Sequence, residues 1–344
     1  METKHLLAPL GIALLAQATL LATPASASSD KPVIALANAY YGNTWRHQMV
    51  DSFEAAAKQA KADGKIADYI VLNGDNTVAQ QNSQIAGLIL KHVDGIAVNA
   101  ASETAVNGII EKACQAGIKV VSFDSIASAP CNYQLNFDFL GYKAEEAQYV
   151  MKRLGGKGNI IVVRGVKGSA PDADMYKAQM GVLAQYPDVK VVATVYGQAT
   201  ASVAQSAIAN VLPSLPHVDA VLAQGGSDDY GIAQAFDQYD GAYTNNMPII
   251  EGGGSTDFLK WWNEQHEKNG YTTISMNTTP GIGGAAFWLT LDIVKGADAS
   301  KKMIMPVATV TQDNLKEYVN MPSGFIVSPT YSQEWVQQHL INKK

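Results

Sequence analysis

Short runs of β-branched and apolar residues alternate with segments of helical period along most of this 344-residue chain. The runs are nearly all apolar, as expected for strands that helices cover on both faces. The segments between them carry apolar stripes at helical spacing, such as Trp45, Met49, Phe53 and Ala57. Strands separated by helices predict an α/β, doubly wound fold with parallel sheets. The predicted strands are Val33 to Ala37, Tyr69 to Leu72, Gly95 to Val98, Lys119 to Phe123, Ile160 to Val163, Val189 to Val195, Ala220 to Ala223, Ile249 to Ile250 and Thr272 to Ser275.

The chain also contains an internal repeat. The segment His92 to Asn99 resembles His217 to Gln224, and in both a helix exit leads into a buried strand with an amide at its carboxyl end. The next strands, Val120 to Asp124 and Ile249 to Gly253, correspond as well. The offsets are 125 residues (92 to 217) and 129 residues (120 to 249). Two successive matches at nearly one offset predict two similar βα lobes, although any two buried strands share some likeness.

The first 27 residues have the features of an export signal. Lys4 precedes an apolar stretch from Leu6 to Leu21, and Ala25 to Ala27 fits a small-residue cleavage site. The alternative is an N-terminal membrane anchor, but polar residues interrupt the stretch and it is short for a bilayer span. We therefore expect residues 1–27 to be removed and the mature protein to be periplasmic.

Composition restricts the partners of the mature chain. Removing 27 of 344 residues leaves about 317, enough for two cores. The formal net charge is −6, and no Lys/Arg cluster is interleaved with aromatic residues. Nucleic acid is therefore not expected as a partner.

The two cysteines, Cys114 and Cys131, would meet an oxidising compartment, where pairing is expected. Cys114 ends the helix before the Lys119 strand, and Cys131 follows the segment that returns from the top of that strand. Both should therefore lie at the same end of the sheet. We predict a Cys114–Cys131 disulfide, with two buried free thiols as the alternative.

Enzyme motifs are weak or missing. Gly281 to Ala286 matches a relaxed dinucleotide fingerprint, and Gly252 to Ser255 could be a phosphate loop. A dinucleotide site also needs an acidic residue at the end of the next strand, and Lys301 to Met305 supplies none. The chain lacks G-x-S-x-G, G-x-x-x-x-G-K-[ST] and H-E-x-x-H, and its six histidines are scattered. We expect no catalysis, no cofactor and no metal.

Several segments together resemble the periplasmic sugar-binding proteins of ABC importers, of the ribose- and galactose-binding type. The resemblance spans essentially the whole mature chain, and it depends on the order and spacing of the segments. They are Ile34 to Leu36 followed by Tyr40 to Arg46, Val120 to Ser125, Val218 to Gln224, and Ile274 to Asn277 ahead of a Gly-rich helix start.

The resemblance implies the type I periplasmic binding protein fold, in which two lobes joined by a three-crossing hinge close over one ligand without catalysis. We expect the first lobe to comprise 28–137 with 279–308, and the second 138–278 with 309–344. The crossings are expected near 137–139, 277–279 and 309–312. The implied function is capture of a sugar or polyol by a monomer and delivery to an ABC transporter permease. One alternative is a sugar or autoinducer receptor that feeds a chemoreceptor or sensor kinase, and another is an exported enzyme on a Rossmann-like fold.

The ligand site can be placed without the family. In open parallel sheets ligands bind beyond the carboxyl ends of the strands, so polar residues there are the candidates. A sugar needs amides and carboxylates for its hydroxyls and an aromatic ring for its apolar face. The candidates in the first lobe are Asn43, Trp45, Arg46, Asn99, Asp124 and Ser125. Those in the second lobe and its crossing are Asp172, Asp174, Gln224 with Asp228 and Asp229, and Asn277.

Each candidate has an ordinary structural alternative. Trp45 starts the apolar stripe of its helix and could be a core residue. Asp124 could cap a following helix rather than accept two ligand hydroxyls. Arg46 could be a solvated first-turn residue, and Asp172 and Asp174 could lie in a solvated turn.

The chain departs from the ribose-type pattern at three places. Ser125 stands where that pattern has an arginine, and Gly252 to Gly254 replace its second aspartate. An arginine of the second lobe is missing near Asp172 and Asp174. The glycines would make room or bring backbone N–H groups close to a ligand. We therefore expect a larger or differently oriented polyol, a furanose or a cyclitol rather than ribose.

Overall fold

The computed structural model describes Met1 and residues 31–342, apart from Asp240, Ala242 and Asn245. The predicted signal peptide, beyond Met1, lies outside the described residues. The strands are β1 (Val33–Asn38), β2 (Asp68–Asn73), β3 (Gly95–Asn99), β4 (Lys119–Phe123), β5 (Tyr133–Phe137), β6 (Lys157–Arg164), β7 (Asp188–Tyr196), β8 (Ala220–Leu222), β9 (Ile249–Ile250), β10 (Ser275–Asn277), β11 (Lys302–Met305) and β12 (Ala308–Val310).

Helices connect these strands. They are α1 (Thr44–Ala62), α2 (Val78–Leu90), α3 (Asn107–Gln115), α4 (Phe139–Arg153), α5 (Ala170–Leu183), α6 (Ala201–Val211), α7 (Asp228–Asp237), α8 (Thr256–Asn269), α9 (Ile282–Val294) and α10 (Gln333–Val336), with short turns at Leu212–Ser214, Leu315–Glu317 and Gln337–Ile341. The apolar stripe of α1 is buried as predicted, and Asn43 caps the helix by accepting a hydrogen bond from the Arg46 N–H at 2.8 Å. This cap places Trp45 and Arg46 in the first turn, directly after β1.

The strands form two main parallel sheets with the same topology. The first has six strands in the order β11-β5-β4-β3-β1-β2, and the second has four in the order β7-β6-β8-β9. Strand β3 lies between β1 and β4, just as β8 lies between β6 and β9. The repeat seen in the sequence therefore corresponds to equivalent strands, which confirms the predicted α/β fold with two doubly wound parallel sheets.

A third, two-stranded sheet lies where the chain passes between the two larger ones. Strands β10 and β12 pair antiparallel, with Ser275 opposite Val310 and Asn277 opposite Ala308. The third passage is the short connection from β5 to α4. These positions coincide with the three predicted crossings, and their role as hinges stays a prediction.

The end of the chain does not follow the predicted lobe division. Tyr331, Val336 and Leu340 pack in the core cluster of the first sheet. The side-chain amide of Gln333 also donates to Asp292 of α9 at 2.6 Å. Residues 331–341 therefore pack on the first lobe, whereas we assigned all of 309–344 to the second. The division predicted for the rest of the chain stays a prediction.

The disulfide between Cys114 and Cys131 is present, with the Cα atoms 6.4 Å apart, and confirms the predicted pairing. It joins the end of α3 to the loop before β5, which are both at the amino-terminal edge of the first sheet. Within the described part of the chain, no helix has both the length and the apolar character that a membrane span requires.

Candidate functional site

A cleft with about 480 Å³ of empty space lies at the carboxyl ends of the strands of both large sheets. Its residues come from the loops and helix starts that follow β1, β4, β6, β7 and β8, and from two of the crossings. They are Asn43, Trp45, Arg46, Asp124, Phe139, Gly165, Val166, Ser169, Pro171, Asp172, Met175, Ala199, Gln224, Gly225, Gly226 and Thr278. The cleft therefore brings together six predicted site residues that are far apart in the sequence.

Asp124 is the centre of the first-lobe side. Its Oδ2 lies 3.4 Å from an Arg46 guanidinium nitrogen and accepts a hydrogen bond from the Asn99 amide at 3.1 Å. Asn99 also donates to the Phe123 carbonyl at 3.2 Å, so the end of β3 orients the carboxylate that ends β4. Both contacts use Oδ2, and neither uses Oδ1.

The ionisation of this pair reflects its burial. Asp124 and Arg46 are each only 7 % exposed along their side chains. Burial raises the pKa of Asp124, while the nearby Arg46 charge opposes the rise. Burial likewise lowers the pKa of Arg46, against the attraction of Asp124. Because a guanidinium keeps its proton at ordinary pH, Arg46 supplies a permanent positive charge next to the carboxylate.

The backbone of Asp124 has a φ of +56°, in the left-handed region that non-glycine residues seldom adopt. Residues 125–132 form a loop, so the alternative that Asp124 caps a helix is wrong. Arg46 is buried and paired with Asp124 rather than solvated. A strained backbone that points a carboxylate into a cleft is typical of binding sites.

Trp45 lies both in the core and at the cleft, and its role as a ligand contact stays a prediction. Its ring belongs to the core cluster of the first sheet and is 6 % exposed, yet it also lines the cleft. Its indole N–H donates to the Thr278 carbonyl on the second crossing at 2.9 Å. The hydrogen bond fixes the ring plane, so the indole is a rigid apolar surface at the junction of the lobes.

On the second-lobe side, Asp172 forms a bidentate ion pair with Arg164. The guanidinium donates to Oδ1 at 3.0 Å and to Oδ2 at 2.7 Å. Its central carbon lies 4.2 Å from the ring centroid of Tyr176 and 5.0 Å from that of Tyr196. Burial raises the pKa of Asp172, against the lowering by Arg164. Asp172 therefore lies in the first turn of α5 as a paired, buried residue and not in a solvated turn.

Gln224 connects the loops of this side. Its Oε1 accepts from the Gly165 N–H at 2.8 Å, and its Nε2 donates to the Asp172 carbonyl at 3.2 Å. The amide thus holds the loops after β6 and β8 together while it lines the cleft.

Six other residues considered from the sequence lie outside the lining. Asn99 and Ser125 are buried behind Asp124, and Ser125 donates to the Ala100 carbonyl. Asp174 is half-buried on α5, away from the cleft. Asn277 donates to the Thr278 and Val327 carbonyls, and so it supports the crossing. Asp228 and Asp229 are fully buried and accept from backbone N–H groups.

The three glycines Gly252 to Gly254 also lie outside the lining, so the expectation that they make room for a ligand is wrong. A Cβ on Gly252 would meet the Ser275 side chain, and one on Gly254 would meet Asn277. Gly254 has a φ of +79° as well. Gly252 and Gly254 allow the loop after β9 to pack directly against the crossing strand β10, and Gly253 allows it to pack against Gly225 in the loop after β8.

Several residues of the cleft and its support were not predicted from the sequence. Phe139, Pro171 and Met175 add apolar surface, and Ser169 and Thr278 add polar groups. The local sequence around Phe139, Pro171 and Met175 gives no indication that these apolar residues line a cleft.

Arg164 was not predicted as a site residue, although its position at the end of a strand indicates one. It ends β6 just as Asn38 ends β1, and Asn38 accepts from Arg46 at 3.3 Å. The rule that polar residues at the carboxyl ends of strands are candidates would have selected both Arg164 and Asn38.

Known proteins support the same interpretation of the fold. The sequence profile of the family described as "Periplasmic binding protein domain" matches residues 34–298. An ABC transporter solute binding protein from Thermobispora bispora DSM 43833 is 39% identical, with a TM-score of 0.83 over 90% of this chain and 94% of that one.

Two curated relatives are more distant. A "Xylitol-binding protein" of Mycolicibacterium smegmatis is 28% identical over 71% of this chain and 68% of its own. A "Multiple sugar-binding periplasmic protein" of Azospirillum brasilense is 24% identical over 72% of this chain and 73% of its own. The match therefore extends over most of the described chain.

Proposed function

This chain belongs to the periplasmic binding protein family, and we propose that it captures a sugar or polyol between its two lobes and delivers it to an ABC transporter permease. The family consists of solute-binding proteins, so the cleft serves binding rather than catalysis. The chain acts as a monomer in the periplasm after removal of residues 1–27.

One observation carries the choice of ligand class. The two sides of the cleft place buried carboxylate, guanidinium and amide groups next to one tryptophan ring. Such groups accept from and donate to vicinal hydroxyls, and the ring covers a face of C–H bonds. Asp124 and Arg46 on one side and Asp172 and Arg164 on the other are paired charges. An uncharged, hydroxyl-rich molecule fits such a cleft without leaving an unpaired buried charge.

The relatives point in the same direction. One is named for binding xylitol and another for binding several sugars. Ser125 also stands where the ribose-type pattern has an arginine. Its hydroxyl donates to the Ala100 carbonyl, and Ser125 does not line the cleft. We therefore propose a polyol, furanose or cyclitol as the ligand in preference to ribose.

A thermal-shift screen of the mature protein tests this proposal. The probes are xylitol, myo-inositol and a panel of pentoses, hexoses and furanoses. A ligand that binds only the folded form at a thousandfold excess over Kd stabilises it by about 4 kcal/mol. No shift with any member of the panel would contradict the proposed ligand class.

Small-angle scattering tests the mechanism. Only a closed form lets both sides of the cleft contact one ligand, so a saturating ligand should make the protein more compact. Unchanged dimensions on saturation with a confirmed ligand would rule out closure between two lobes.

A further inference from the structure

A lysine and two glutamates are completely buried behind the second-lobe side of the cleft. Lys143 on α4 lies 2.5 Å from Glu146 on the same helix and 3.8 Å from Glu251, which directly follows β9. All three side chains are 0 % exposed. None of them lines the cleft, and neither the sequence analysis nor the proposed binding mode uses them.

One arm of this cluster reaches the loop that carries Gln224. The ladder between β8 and β9 is only two residue pairs long, and β8 ends at Leu222. Beyond it, the Glu251 carboxylate accepts from the Ala223 N–H at 2.9 Å. Gln179 of α5 donates to the Ala223 carbonyl at 3.0 Å and to Glu251 at 3.2 Å. Side chains thus take the place of a neighbouring strand at the residue before Gln224.

The other arm reaches the second crossing. The second oxygen of Glu146 accepts from the Met276 N–H of β10 at 2.7 Å. Two residues later, the Thr278 carbonyl accepts from the Trp45 indole of the first lobe. Lys143 therefore lies between two carboxylates, one of which holds the cleft wall and the other the crossing that contacts Trp45.

Stability alone does not account for such a cluster. Burying one ammonium and two carboxylates has a large desolvation cost. A protein with apolar residues of similar size in their place is often as stable or more stable. The same desolvation raises the pKa of both Glu146 and Glu251, because burial disfavours their charged forms. Although burial alone would lower the pKa of Lys143, Glu146 and Glu251 raise it, so the lysine stays charged.

We propose that the Lys143–Glu146–Glu251 cluster positions the ligand site: Glu251 holds the loop of Gln224, Glu146 holds the crossing of Thr278, and Lys143 keeps the two carboxylates in register. These are positioning residues that do not touch the ligand. The inference rests on the proposed function for its effect on affinity, but its effect on the loop and the crossing is independent of any ligand.

The first test compares Glu251→Ala with Glu251→Gln. The glutamine keeps an acceptor for the Ala223 N–H, whereas the alanine removes it. Calorimetric titration with xylitol and myo-inositol should show affinity at least about tenfold weaker for Glu251→Ala and within about threefold of wild type for Glu251→Gln. Equal affinity of Glu251→Ala and wild type would overturn the proposal, and so would an equal loss in both variants.

A matched control separates positioning from general loss of stability. Asp292 is a buried carboxylate on α9 that accepts from Gln333 and Gln337, and it does not line the cleft. Asp292→Asn should lower the melting temperature without changing affinity. If affinity falls with melting temperature in the same way in Asp292→Asn and Glu251→Ala, the cluster has no positioning role.

Amide hydrogen exchange of the ligand-free protein supplies a readout that needs no ligand. Glu251→Ala should speed exchange in segments 223–225 and 275–278, and Asp292→Asn should speed it in 331–341 instead. If Glu251→Ala does not fold, Gln179→Leu removes the neighbouring contacts to Ala223 without leaving a charge unpaired. Unchanged exchange at 223–225 in the folded variant would overturn the proposal. If the wild type binds no probe, the proposed function fails while the exchange data still decide this inference.

Discussion

The two lobes build the two sides of the cleft by different means. In the first lobe, β3 and β4 are each five residues long and pair at four positions, so a backbone ladder carries these strands close to the edge of the cleft. In the second lobe, β8 and β9 are three and two residues long, and buried carboxylates hold the loops beyond them. Equivalent strands of one repeated topology thus have the longer backbone ladder in the first lobe, and depend more on buried carboxylates in the second.

The difference also affects the charge that each side offers to a ligand. Arg46 and Asn99 both contact Oδ2 of Asp124, and neither of these contacts uses Oδ1. Arg164 occupies both oxygens of Asp172. The first lobe therefore presents a charged acceptor, whereas the second presents the Gln224 amide and backbone groups. Four changes test this comparison.

The largest effect is expected from removal of the disulfide, which closes a loop of 17 residues in the first lobe. The double variant Cys114→Ala/Cys131→Ala should lose about 3 kcal/mol of unfolding free energy by loop-closure arithmetic. Denaturant unfolding measures this loss. Ligand affinity should not change, because the bridge lies at the opposite edge of the sheet from the cleft. A loss of affinity would contradict this separation.

Asp124→Ala removes the charged acceptor of the first-lobe side. Ligand binding should weaken by at least about 2 kcal/mol, or roughly 30-fold in Kd. The melting temperature of the ligand-free protein should fall, because the change leaves the buried Arg46 guanidinium without its charge partner. Calorimetry and thermal melting measure the two quantities.

Asp174→Ala is the matched control for Asp124→Ala, because Asp174 lies outside the cleft lining. It should bind as wild type does. If Asp124→Ala binds equally well, the capture mechanism proposed here is wrong.

Gln224→Ala tests the second-lobe side. It removes a neutral amide, so the loss of affinity should be about 1 kcal/mol, smaller than that for Asp124→Ala. Titration of both variants with the same ligand measures the difference. A larger loss for Gln224→Ala would reverse the assignment of the charged and neutral sides.

The smallest expected effect is a pH dependence of stability that arises mainly in the second lobe. Burial raises the pKa of Asp228 to about 7 and that of Glu251 to about 8. An acid whose pKa is higher in the folded state binds its proton more tightly there. Its contribution to stability is therefore fully present below the ordinary carboxyl pKa and is lost as pH rises through the folded pKa.

The melting temperature of the ligand-free protein should accordingly be higher at about pH 5.5 than at about pH 8. Asp124 contributes in the same direction, because burial raises its pKa too. Glu251→Gln should flatten the profile, and Asp124→Asn should flatten it less. Equal flattening by the two variants would show that the lobes do not differ in this respect.

Much of the fold and part of the site follow from the sequence. Alternating strands and helices, the repeat from His92 and from His217, and the disulfide all depend on local pattern or on simple parallel topology. The same topology places Trp45, Asp124 and Gln224 at strand ends, and the structure finds all three in one cleft. These features were predictable because strand order and direction are enough to place them.

Tertiary contacts decided the rest. The sequence alone does not say that Arg164 occupies both oxygens of Asp172, or that Lys143 is buried between two glutamates. It does not say that Gly254 accommodates Asn277 instead of a ligand, or that residues 331–341 pack on α9. Each of these depends on which distant segments meet and at what distance. A charged or small residue has the same local pattern whether its partner is solvent, a ligand or another segment of the chain, and only the packing of the whole molecule selects among them.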